Sequence, residues 1–111
     1  GKAVLCEKPL EVTLEKIEAI LGAAEASGAT LAGVLQLRLG AGAQAMKRAV
    51  VEGRFGRLAI CSAYLKWWRE QSYYDAVDWR GTRALDGGGA LMNQGIHAVD
   101  LLQWLAGMPC E

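Results

Sequence analysis

Cysteine is scarce and scattered. Cys6, Cys61 and Cys110 are odd in number, far apart and form no Cys-x-x-Cys pair, so neither a disulfide framework nor a zinc ribbon is implied, and no metal site is expected. A reducing, cytoplasmic setting is the expectation that follows. An excess of charge of one sign is also missing. Twelve basic and twelve acidic side chains give a formal net charge of zero, which leaves no electrostatic footprint for a nucleic-acid partner. No apolar run approaches the roughly 20 residues of a membrane span, and the first residues lack a charged region followed by an apolar signal core. Nowhere does a G-x-G-x-x-G occur, so the usual dinucleotide pyrophosphate grip at a helix N-terminus is absent. What remains is 111 residues, 52% hydrophobic, enough at this length for one ordinary core.

The first third reads as strand, helix, strand. Ala3 to Cys6 is a short continuous apolar run ending in Glu7-Lys8-Pro9, which suits a buried parallel strand whose carboxyl end carries Lys8. Pro9 restricts the backbone as the chain turns off that strand. Leu14, Ile17, Leu21 and Ala24 then recur at helical spacing, with Thr13 as the cap and Gly28 where the helix stops. Thr30 to Leu35 reads as a second strand delivering Gln36 and Arg38 to the same edge of the sheet, where ligands bind in a doubly wound fold.

The stretch Gly40-Ala41-Gly42-Ala43 is the best domain boundary, since paired glycines loosen a chain between periodic segments. Gln44 to Glu52 reads as a short helix stopped by Gly53, and Arg57 to Trp68 alternates as a strand opening a second sheet. The polar and aromatic residues 69–86 are too irregular for either period and suggest a binding loop. After Gly87-Gly88-Gly89, Ala90 to Ala106 reads as one helix ending at Gly107, with Pro109 preventing continuation.

That helix carries Asn93 and His97 four residues apart, one turn apart on one face. With Lys8 they supply a cationic donor, a titratable base and a fixed polar anchor, the set that reversible oxidation of a hydroxyl by a nicotinamide needs. An imidazole of reference pKa about 6.5 can take the hydroxyl proton, while the ammonium stabilises alkoxide character. Blander readings stand beside these. His97 fits equally a buried imidazole satisfied by backbone, Lys8 a solvated strand-end lysine, and Asn93 a cap at the helix start. Asp100 either orients the His97 ring or is an exposed helical aspartate.

Taken in order, Glu7-Lys8-Pro9 with its following helix, Gln36-Leu37-Arg38, Trp79-Arg80-Gly81-Thr82, the triple glycine and Asn93-Gln94-Gly95-Ile96-His97 resemble the Gfo/Idh/MocA family of NAD(P)-dependent sugar and cyclitol oxidoreductases. The resemblance runs along nearly the whole chain. It implies an α/β fold in which residues 1–39 are the C-terminal part of a Rossmann domain, and residues 40–111 begin an α+β substrate and dimerisation domain with an open mixed or antiparallel sheet. It makes Lys8 and His97 catalytic. Glu7, Lys8, Pro9, Gln36, Arg38, Trp79 and Arg80 become cofactor contacts for NAD or NADP, and Asn93, Lys66 and Tyr74 substrate contacts. Many members resemble this pattern with Asp in place of Asn93, so proton transfer falls here on His97 alone.

The aromatic and basic run from Lys66 to Tyr74 is most similar to members acting on nucleotide-linked amino sugars, while also fitting a twisted strand with aromatics as core. The expected ligand is therefore a sugar or polyol. The expected assembly is a homo-oligomer, with neither nucleic acid nor membrane as partner. The resemblance also leaves open an NAD-dependent glycosidase or a non-catalytic NAD-binding regulator of the same fold. Because the opening reads as the middle of a Rossmann half and begins with Gly1, the chain is expected to be an internal segment of a longer protein, with little NAD affinity alone.

Overall fold

The computed structural model describes residues 1–107. Pro109 and Cys110, and the expectation attached to that proline, lie outside them. The described chain is mixed α/β and falls into two units interleaved in sequence. The first comprises Gly1–Val34 and Trp68–Asn93, the second Leu35–Trp67 and the segment from Gln94 onward.

In the first unit, β1 (Val4–Glu7) and β2 (Leu31–Val34) pair in parallel, Val4 opposite Leu31 and Glu7 opposite Val34. A parallel pair needs a crossover, supplied by α1 (Leu14–Ser27). Its ends are where the sequence puts them. The Thr13 side chain accepts from the Lys16 amide at 3.4 Å, and Gly28 at φ 63° closes the helix in the left-handed region. The expected burial of β1 is not found, since Leu5 is 74% exposed. With one partner strand on one edge, the described residues provide no layer to cover its faces.

The same unit resumes at Trp68 and forms a single helical turn, α2 (Gln71–Asp75), inside the segment expected to be a loop. The triple glycine then packs tightly. Gly87 has φ 67°, and a Cβ there would strike the Met92 sulfur and lie 3.2 Å from Val12, while the Gly88 amide lies 3.1 Å from that sulfur.

In the second unit, β2 gives way to a 3-10 turn, Gln36–Leu39, and then to α3 (Ala41–Val51). Gly40 is its N-cap and Gly42 lies in its first turn, so the glycine pair opens a helix where a loosened boundary was expected. Glycine is tolerated as a cap, where its flexibility costs least. The strand expected over residues 57–68 does not form. Alternation defines two faces, but a strand also needs a neighbouring backbone to bond, and the one sheet among the described residues is β1–β2. Consequently no mixed or antiparallel sheet is present among them, and Ile60 remains 86% exposed.

The long C-terminal helix also departs from expectation. Residues Leu91–Gly95 wind as a π-helix, and the α-helix proper, α4, runs Ile96–Ala106 to Gly107. The four-residue spacing rule for an α-helix therefore does not hold across the segment containing Asn93. Within the second unit α4 packs on α3 and on the 3-10 turn, and Met46, Val50, Phe55, Leu58, Leu102 and Leu105 line an apolar groove of about 350 Å³.

No apolar side chain among the described residues is fully buried, so the single ordinary core expected from length is not assembled. The side chains that are buried are polar: Asp86, His97 and Asp100, at 8%, 8% and 7% exposure.

Candidate active site

Lys8 leaves the carboxyl end of β1 and is half-buried. Its Nζ donates to the main-chain carbonyl of Asn93, 85 residues on. The tie holds an ammonium, a strong obligatory donor, against the π-helical turn that carries Asn93. The first unit thus brings together two expected site residues that lie far apart in sequence. The Asn93 side chain is itself held, its Nδ2 donating to Asp86 Oδ1 at 2.8 Å. Asp86 Oδ2 accepts from the Gly81 amide at 2.8 Å, and its own amide donates to Thr82 O at 2.9 Å.

An ionised carboxylate only accepts, so Asp86 fixes which end of the Asn93 carboxamide faces it. The sequence reading missed Asp86. Its one signal was its place immediately before Gly87-Gly88-Gly89, where a turn carries the chain back toward the lysine.

Around Tyr73 the unit gathers cations and rings. The Arg80 guanidinium lies 4.3 Å from the Tyr73 ring and 5.4 Å from Trp79, and donates to Tyr73 O at 2.9 Å. Arg69 lies 5.2 Å from the same ring, and Tyr74 meets it edge-on at 5.2 Å. Trp79 and Tyr74 are exposed. Arg80 Nε is buried without a hydrogen-bond partner among the described residues, an uncommon condition that a ligand oxygen would relieve. Glu7 ends β1 with its side chain exposed, and Pro9 follows Lys8 through a cis peptide.

The second unit carries the rest. His97 is buried on α4. Gln36 is exposed at the start of the 3-10 turn, and Lys66 is exposed in the unpaired stretch. Arg38, two residues beyond Gln36, is engaged by Asp100. Its Nε donates to Asp100 Oδ2 at 2.8 Å and its Nη2 to Oδ1. The hydrogen bond with Asp100 raises the guanidinium above its ordinary pKa, with burial opposing and the opposite charge adding. Asp100 is thus neither exposed nor idle, and the exposed-aspartate reading is set aside. Among the described residues no cluster of His, Cys, Asp and Glu could hold a metal ion, and no helix is long and apolar enough to cross a membrane.

In the first unit a lysine after a parallel strand is thus tied to an asparagine beyond a glycine turn, and in the second unit a histidine lies buried on α4. The description "GFO/IDH/MocA C-terminal domain" matches residues 43–111, and the chain belongs to the Gfo/Idh/MocA family. It is similar to 1,5-anhydro-D-fructose reductase of Ensifer adhaerens, with 34% identity over 108 residues covering 95% of this chain and 31% of that protein.

Trans-1,2-dihydrobenzene-1,2-diol dehydrogenase of Mus musculus is 30% identical across 96% of this chain and 30% of its own. Among solved structures, the WlbA dehydrogenase from Bordetella pertussis, in complex with NADH and UDP-GlcNAcA, is 41% identical with a TM-score of 0.84, covering 96% of this chain and 33% of that one. Its counterpart from Chromobacterium violaceum, with the same two ligands, is 43% identical with a TM-score of 0.82, covering 95% and 30%. The chain therefore spans about a third of the length of the relatives it matches.

Proposed function

We propose that the protein is an NAD(P)-dependent dehydrogenase acting on a sugar or polyol, with a nucleotide-linked amino sugar as the preferred substrate class. The observation that carries this reading is the Lys8 ammonium held on the Asn93 carbonyl at the carboxyl end of a parallel strand. Likeness to sugar dehydrogenases, two of them with NADH and UDP-GlcNAcA bound, supports it. In this reading residues 1–39 close a Rossmann domain and 40–111 open the substrate domain. The enzyme is cytoplasmic and homo-oligomeric.

NAD or NADP, when bound, supplies the hydride acceptor. Lys8, Glu7, Pro9 and the Trp79-Arg80 pair would hold its nicotinamide end, with the unpartnered Arg80 Nε offered to a ligand oxygen. Gln36 completes the cofactor set, whereas Arg38, also expected there from sequence, is engaged by Asp100. His97 takes the proton of the substrate hydroxyl at its ring nitrogen. Lys8 Nζ stabilises the negative charge that develops on that oxygen. Asn93, held by Asp86, positions the sugar together with Lys66 and Tyr74.

The test is NADH formation by the product of the complete reading frame with UDP-amino sugars, free sugars and inositols, comparing wild type with Lys8→Ala and His97→Ala. Turnover confined to one class and lost in both variants is the expected result. Tight cofactor binding without net NADH would overturn it in favour of a redox-neutral hydrolase or a regulator.

A further inference from the structure

The second unit contains a polar arrangement that the reaction as described does not use. Asp100 is 7% exposed, and such a carboxylate is stable only when its oxygens are well bonded. Arg38, 62 residues earlier, meets both oxygens with adjacent guanidinium donors, a fork that fixes orientation as well as distance. The arginine is itself anchored, because Gln44 Nε2 of α3 donates to its carbonyl at 2.6 Å. One turn along α4, Trp104 lies between two cations, 5.7 Å from Arg38 and 5.5 Å from Lys47, whose Nζ also donates to Trp104 O at 2.5 Å. Two consecutive turns of α4 are thus gripped by side chains of the 3-10 turn and of α3.

His97 is three residues before Asp100 on α4, so the two lie on neighbouring positions of one face, and both are buried. We infer that Asp100, clamped by Arg38, is a positioning residue that sets the rotation and height of α4 and thereby the placement of the His97 imidazole. A shift of about 1 Å in a base costs on the order of a hundredfold in rate, so a fork at the next turn is well sited to control turnover. This assignment rests on the dehydrogenase reading for the role of His97. It gives Arg38 a task distinct from cofactor contact, since Nε and Nη2 are spent on Asp100.

The test uses the product of the complete reading frame and the variants Arg38→Ala, Arg38→Lys, Asp100→Asn and the Arg38→Ala/Asp100→Asn double. Lysine keeps the charge and loses the fork, so it provides a variant in which folding is preserved. Expected are at least tenfold losses of kcat in each single variant, cofactor Kd within about twofold of wild type, and a double variant no worse than the poorer single. Millimolar guanidinium is expected to restore part of the turnover of Arg38→Ala. At fixed pH, the His97 imidazole NMR signal, assigned by its loss in His97→Gln, moves in Arg38→Lys and Asp100→Asn.

A tenfold weaker cofactor Kd with kcat retained would make Arg38 a cofactor contact and overturn the inference. So would independent, multiplying losses, or an unmoved His97 signal. A wild type that turns over no substrate, with the His97 signal still responding to Arg38 and Asp100, would sink the dehydrogenase reading and leave the positioning intact.

Discussion

Replacing Asp86 by Asn should loosen the loop that carries Gly81 and free the Asn93 side chain. Asp86 is 8% exposed and accepts two bonds, from Gly81 N and Asn93 Nδ2, each at 2.8 Å. Asparagine keeps the shape and one acceptor oxygen but turns an NH2 group against one of those donors. No cavity forms, so the cost isolates hydrogen bonding. Losing one bond to a charged acceptor costs ~1.5–3 kcal/mol. Because Gly81 is exposed and Asn93 half-buried, water partly replaces the lost partner, which places the expectation near ~2 kcal/mol.

At 1.4 kcal/mol per factor of ten, that corresponds to about a thirtyfold fall in local protection. Amide hydrogen exchange at Gly81 reads it directly. The Ala29 amide, bonded to Ala24 O at the end of α1, serves as the internal control because neither it nor its acceptor belongs to this loop. Protection at Gly81 within twofold of wild type would refute the argument that Asp86 holds this loop and, through it, the carboxamide of Asn93.

Three further substitutions probe the frame. Thr13→Ala removes the side-chain acceptor at the start of α1; its bond to the Lys16 amide is long, 3.4 Å, so urea unfolding should show a loss at the low end of the capping range, about 0.5–1 kcal/mol. Gly87→Ala combines a residue at φ 67° with a Cβ driven into the Met92 sulfur and Val12, and should cost at least ~1–3 kcal/mol by the same measurement, whereas Gly89→Ala, equally left-handed but with open space around it, should cost distinctly less.

Much of the first unit was legible along the chain because its signals are local. Thr13 and Gly28 mark the ends of α1 by their own backbone and side-chain chemistry, and the apolar run before Glu7-Lys8-Pro9 marks β1. The place of Lys8 followed from the strand it ends. Its partner did not, since the bond to Asn93 spans 85 residues. Asp86 and the Arg38–Asp100 fork escaped for the same reason. An aspartate before a glycine turn and another on a helix look like surface residues until something distant arrives to desolvate and bond them.

The stretch 57–68 marks the opposite limit. Its alternation is a strand pattern, yet a strand is a relation between two backbones, and among the described residues no neighbour stands beside it. The π-helical winding at Leu91–Gly95 likewise broke a spacing rule that presumes an α-helix throughout. Residue type and local order determined α1, the parallel pair, the family and the chemical kinds of group available. Only the tertiary structure decided which polar groups are buried and whom they bond, because burial and pairing depend on contacts across the chain that no local window contains.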